Sequence, residues 1–220
     1  MTVLKMIRES FPKYKCVLPI CKKEVYFTPF KIKDAKNIAI ILQEQNKHLA
    51  FSTMIDIIKE NTENLNVTEL TGLDAEYLFL QIRSKSVDEN LNLIFNNQKV
   101  QLNINDITFS GQIQEKTISV GSDIVLSLKT PKVKQLLKLK SFDKNELMKA
   151  SIQSVSIKNE VYECNKFLTD ELKEILENLP LKVGNKFEEF LNSEPQLCAL
   201  IDINNEKKKV TGILNFFTYR

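Results

Sequence analysis

The chain has 220 residues, 43% apolar and 27% charged, which places it among ordinary globular proteins able to bury one good core or two small ones. Thirty-one Lys and Arg against 28 Asp and Glu leave a net charge of +3, too small and too mixed to argue for nucleic acid. The longest apolar run, Ile38-Ala-Ile-Ile-Leu42, is far short of a membrane span, and the opening stretch lacks the uninterrupted apolar region of a secretory signal, so a cytoplasmic protein is expected.

Val3 to Phe11 reads as a short helical arm or a loose tail. Tyr14 to Ile20 and Glu24 to Phe27 read as a hairpin turning at Cys21-Lys22-Lys23, and Pro29 then breaks the ladder because it has no N–H to donate. Two amphipathic helices follow. Asp34 to Gln45 carries Ala35, Ile38, Ile41 and Leu42 on one face, and Leu49 to Asn61 carries Phe51, Met54, Ile55 and Ile58. The single histidine, His48, falls between them as a solvated turn residue.

The stretch Leu73 to Val87 predicts the central helix, with Thr71 as N-cap and Asp74 three residues on in a near capping box. Leu73, Tyr77 and Leu80 fall on one side, Leu78 and Ile82 on a second, and Phe79 on a third. Only a strip holding Glu76 and Arg83 is left for charge. Such a helix is enclosed by other elements or offers a contact surface to another protein.

Beyond it the period changes to two. Leu91, Leu93 and Phe95, then Val100, Leu102 and Ile104, alternate with polar residues about an Asn96-Asn97 turn. Ile107 and Phe109, Ile118 and Val120, and Ile124, Leu126 and Leu128 continue the pattern, punctuated by Gly111 and Gly121. An antiparallel meander of four or five strands with one wet face is expected. After Thr130-Pro131 a short helix carries Lys132, Lys134, Lys138 and Lys140, either a solvated face or an electrostatic patch. Leu147 to Ile157 is a weaker helical pattern, and Val161 to Cys164 is too short to assign. Thr169 to Leu179 is a clear helix ended by Pro180, and Lys186 to Leu191 is a shorter one. Gln196 to Ile203 and Lys209 to Phe217 pair as a last hairpin across Asn204-Asn205-Glu206.

The whole reads as α+β: helices flanking a small antiparallel meander, with hairpins near both termini. It is taken as a single compact unit of three segments, 1–88, 89–130 and 131–220. Chemistry is hard to place in it. The five glycines form no phosphate-cradling series, and one histidine gives metal and nucleophile systems little to draw on. Cys16, Cys21, Cys164 and Cys198 read as free thiols without a partner set for metal. No catalytic residue, cofactor or metal is expected.

Asp74-Ala-Glu-Tyr-Leu-Phe-Leu-Gln-Ile-Arg-Ser-Lys-Ser-Val87 resembles the signature of the T4-type bacteriophage baseplate hub family, whose members serve as small hub subunits or hub assembly chaperones of contractile-tailed phages. Tyr26-Phe27-Thr28-Pro29-Phe30, the region from Leu179-Pro180 through Phe190 to Pro195, and Gly212-Ile-Leu-Asn-Phe-Phe217 resemble further pieces of it in the same order. Where the family carries paired cysteines near the C-terminal hairpin, only Cys198 stands here, so no metal is carried across. The resemblance implies a non-enzymatic protein of the baseplate hub that binds other hub or tail proteins. It would work in the host cytoplasm during assembly, with or without a place in the virion baseplate. No small-molecule substrate, membrane segment or nucleic acid is implied. Tyr26, Phe30, Glu76, Arg83, Phe216, Phe217 and Tyr219 are the expected contact residues. Phe216 and Phe217 must point to opposite faces of a strand, so one can leave the core and join Tyr219 unless both pack internally. The rival, from a different class, is a small nucleic-acid-associated phage protein using Lys132, Lys134, Lys138 and Lys140.

Overall fold

A computed structural model of the chain describes residues 10–44, 46–95, 98–113, 115–158, 160–164, 169–203 and 206–212. In chain order the elements are β1 (Tyr14–Val17), β2 (Glu24–Phe27), α1 (Ile32–Glu44), α2 (Lys47–Asn61), α3 (Gly72–Ser86), β3 (Asn90–Phe95), β4 (Gln98–Asn103) and β5 (Thr108–Ser110). There follow β6 (Glu115–Val120), β7 (Ile124–Lys129), α4 (Val133–Leu136), α5 (Lys144–Ser151), β8 (Ile152–Ile157), β9 (Glu160–Glu163), α6 (Thr169–Glu177), α7 (Leu181–Ser193), β10 (Gln196–Ile203) and β11 (Glu206–Thr211). The fold is α+β with antiparallel hairpins toward both ends, as the sequence pattern implies. The arm from Val3, the Asn96-Asn97 turn and the C-terminal Phe216, Phe217 and Tyr219 lie outside the described residues.

The chain groups into two compact units, residues 1–110 with 196–220, and residues 111–195. This division does not coincide with the three expected segments of one unit. In the first unit α3 is the core helix: Leu73, Ala75, Leu78, Phe79, Leu80 and Ile82 are all buried, and they cover most of its circumference. Its N-cap is Thr71, whose hydroxyl accepts the Asp74 N–H at 3.2 Å. Helix α2 is capped by Asn46, whose Oδ1 accepts the Leu49 N–H at 3.0 Å, and it buries Phe51, Met54, Ile55 and Ile58 as its spacing predicts. His48 is a correction: it stands in the first turn of α2, half-buried, because the Asn46 cap starts the helix two residues before Leu49. On α1, Ala35 is exposed, so the expected apolar face is not covered there. Strand β1 ends at Val17, three residues short of Ile20, where the chain curls into a turn closed by Leu18 N–H to the Lys23 carbonyl at 2.9 Å.

The strands from Asn90 to Lys129 are antiparallel, but they do not form one meander. β3 and β4 make a two-stranded sheet in register Leu91↔Leu102. β5 joins the C-terminal hairpin instead, giving the order β11-β10-β5 with Leu197 opposite Phe109. β6 and β7 belong to the second unit, where they continue into β8 and β9 as a four-stranded meander. The reason is that a period-two pattern states only that a strand has two faces; it does not name the strand beside it. The helix expected over Leu147–Ile157 stops at Ser151. From there Ile152 and Val155 turn into β8, opposite Leu128 and Leu126, and the β-branched residues pack on the sheet. The second unit closes over Ile118, Leu126, Val155, Phe187 and Phe190, all essentially buried, the last two supplied by α7. No helix of the described residues is long and apolar enough to cross a membrane.

Candidate partner-contact surface

Helix α3 holds the N-terminal hairpin from both of its ends. Near its start the fully buried Asp74 carboxylate accepts the N–H groups of Ile20 at 2.8 Å and Cys21 at 3.2 Å, fixing the turn between β1 and β2. Near its end Ser86 Oγ accepts the Phe30 N–H at 2.7 Å. Between these anchors the Phe30 ring lies on Phe79, centroids 5.2 Å apart. With Val25 and Phe27 turned to the core, the alternation of the strand leaves Lys15, Val17, Glu24 and Tyr26 on the outer face. There Val17 and Tyr26 are about half exposed, at 53% and 50%. The Glu24 carboxylate accepts from the Tyr26 hydroxyl at 2.7 Å and from Lys15 Nζ at 3.2 Å, which holds it below the usual carboxylate range and raises the tyrosine.

Beside this face lies a groove of about 390 Å³, lined by Phe11, Lys13, Tyr26, Lys31, Lys33 and the end of α2 at Glu60–Glu63. Its floor is backbone: Phe27 bridges Thr62, and the Thr28 N–H donates to the Asn61 carbonyl at 2.9 Å. The buried Asn61 side chain donates to Asp34 Oδ2 at 3.1 Å and to the Ile57 carbonyl at 2.8 Å. Asp34 in turn accepts the Lys31 N–H at 2.9 Å, so the start of α1 is tied to the end of α2. The rim is charged. Lys13 pairs with Glu63 at 2.8 Å, Lys33 pairs with Glu60, and Lys31 Nζ donates to the Glu60 carbonyl at 3.2 Å. Exposed pairs of this kind are worth only about 0–1 kcal/mol, so a partner can exchange them at little cost. Ile32, flanked by two of these lysines, is 81% exposed. Aromatic and aliphatic groups ringed by exchangeable charge are what a protein partner meets at an interface.

The expected contact residues thus separate. Tyr26 stands on the groove and outward. Phe30 points inward and packs on Phe79. Glu76 and Arg83 are half-buried on α3. The Arg83 guanidinium donates to the Asp88 carbonyl at 3.0 Å; its burial lowers its pKa and the nearby Asp88 opposes that. The groove residues Phe11, Lys13, Lys31, Lys33, Glu60 and Glu63, and the exposed Ile32 between two of them, had no strong mark in the sequence. Only the Lys-Ile-Lys triplet before Asp34, an isolated apolar residue between charges, hinted at them. Of the lysine run, Lys134, Lys138 and Lys140 are exposed and Lys132 is half-buried. Burial pushes the Cys16 and Cys164 thiols up to about 11, so neither is a thiolate near neutral pH. Among the described residues no three metal-binding side chains gather.

The model of a family described as T4 bacteriophage base plate protein matches residues 11–218, nearly the whole chain. No curated protein and no solved structure matches it.

Proposed function

The chain belongs to this family of phage base plate proteins, and we propose that it serves it as a hub assembly factor or hub component of a contractile-tailed phage. It holds another hub or tail protein by shape and charge in the host cytoplasm while the baseplate forms, and it transforms no substrate. The observation that supports this reading is the groove beside the hairpin, where Phe11 and Tyr26 stand exposed among exchangeable Lys–Glu pairs on a base fixed by buried Asp74, Asp34 and Asn61, with the exposed Ile32 between Lys31 and Lys33 in the chain. A rigid base with a half-apolar, half-charged rim binds with little loss of freedom in the protein itself.

The test is co-expression of the tagged chain with the tail proteins of the same phage. The wild type is expected to co-purify a hub or tail protein, and Tyr26→Ala combined with Ile32→Asp should lose at least tenfold of it while melting like the wild type. Undiminished co-purification by that variant would overturn the assignment of the groove. Mass spectrometry of purified particles then separates the two roles: an assembly factor is missing from mature virions, whereas a hub component is present in them.

A further inference from the structure

Of the strands at the margins of their sheets, two carry opposite charges. β9, Glu160-Val161-Tyr162-Glu163, is the outermost strand of the order β6-β7-β8-β9, and all four of its residues are exposed, Val161 at 59%. β11 is outermost in the order β11-β10-β5; it carries Lys207, Lys208 and Lys209 in succession, with Lys207 and Lys209 exposed. An open edge presents a row of N–H and C=O groups to any strand that can reach it, and charges of one sign on an edge keep like edges apart. β9 against β9 sets glutamate near glutamate, and β11 against β11 sets lysine on lysine. Of these three pairings, β9 against β11 alone brings unlike charges together.

The two strands belong to different units of the chain and, among the described residues, lie in separate sheets. The strand that fits each edge is therefore the other edge on a second copy. We propose that the protein associates with itself head to tail, β9 of one copy adding antiparallel to β11 of the next. One register satisfies both faces. With Glu163 opposite Lys207, Val161 falls opposite Lys209 and Tyr162 opposite Lys208, while Glu160 faces Val210 and is diagonal to Lys208. On β11 the buried Val210 marks the covered face. On β9 the covered face is the one carrying Tyr162, whose ladder partner is the buried Val155. This register keeps the two covered faces on the same side of the joined sheet. The contact is heterologous, so every open oligomer keeps one unused β9 at one end and one unused β11 at the other, and growth continues until a ring closes.

The experiment is sedimentation velocity of the full chain over a concentration series at low and high salt. Wild type is expected to gain average mass with concentration and to lose it as salt screens the charges. Glu160→Lys with Glu163→Lys makes both edges basic, and Lys207→Glu with Lys209→Glu makes both acidic; each variant alone should stay monomeric. Mixed in equal amounts they should associate again, since every junction once more joins unlike edges. Of the four positions, Glu160 and Glu163 lie on β9 and Lys207 and Lys209 on β11, and all are exposed, so circular dichroism melts should match the wild type. A wild type whose mass does not change with concentration would overturn the proposal. So would variants that associate as the wild type does, or a mixture that stays monomeric.

Discussion

At the scale of single residues, Gly111 shows what a sequence marks without explaining. It reads as a strand breaker, and in the structure its φ is +90°, where a side chain is strained. A Cβ there would also meet the carbonyl oxygens of Ser193 and Glu194 at 2.6 Å, so the position takes only glycine. Across from it, burial raises the Glu194 carboxyl to about 7, and the Thr130 hydroxyl, donating at 3.1 Å, offsets only part of this. A carboxyl whose folded pKa lies above its unfolded value favours folding fully below the unfolded value, near 4.5, and loses that contribution as pH rises through about 7. Glu194→Gln should therefore stabilise the protein at pH 8 by about 1 kcal/mol, after allowance for partial exposure, and leave it unchanged at pH 4.5. Urea midpoints of both proteins across that range measure it; parallel curves would show that Glu194 ionises freely. Asp74 teaches the complementary lesson. The sequence shows it as part of a cap, and the backbone groups of Ile20 and Cys21 that it satisfies lie too far along the chain for spacing to disclose.

At the scale of elements, helices with a strong three-to-four period were legible and strand partners were not. α3 was readable as enclosed because its apolar residues run almost all the way round, which is a local property of the chain. Leu78 and Ile82 are both fully buried on it, and Leu78→Ala should cost about 2–5 kcal/mol by lost burial and a residual cavity. Arg83→Ala removes one hydrogen bond to the Asp88 carbonyl at a half-buried site and should cost about 1 kcal/mol. Chemical denaturation of the two variants gives the comparison directly, and equal losses would show Arg83 to be as deeply committed to the core as Leu78. The segment after Met148 was harder to read. The helical pattern expected from Leu147 stops at Ser151, and Ile152 opens β8, because Leu126 and Leu128 on β7 are completed by strand neighbours there. The contact surface was half legible. Tyr26 was found from its aromatic segment, but the lysines and glutamates around it come together only once α1 and α2 are tied through Asp34 and Asn61.

At the scale of the molecule, composition allowed either one core or two, and the choice between them lay in a pairing that no local signal carries. β5 leaves the strands that precede and follow it and pairs with β10, Ser110 facing Gln196. Everything from Gly111 to Pro195 is thereby inserted between two neighbouring positions of one ladder. The inserted unit has its own core, with Ile118 and Leu126 from the sheet against Phe187 and Phe190 from α7. Its two ends are adjacent as well, since the Gln112 N–H donates to the Ser193 carbonyl at 3.3 Å. A segment with a separate core and neighbouring ends meets the conditions for independent folding. Residues 111–195 expressed alone should therefore give a cooperative thermal transition and the far-UV circular dichroism of a mixed helix and sheet protein. The remainder, with Ser110 joined to Gln196 by a short Gly-Ser linker, should also fold, because the linker spans only one step between paired strands. If neither piece melts cooperatively, the two cores form a single folding unit, and the insertion describes only the path of the chain.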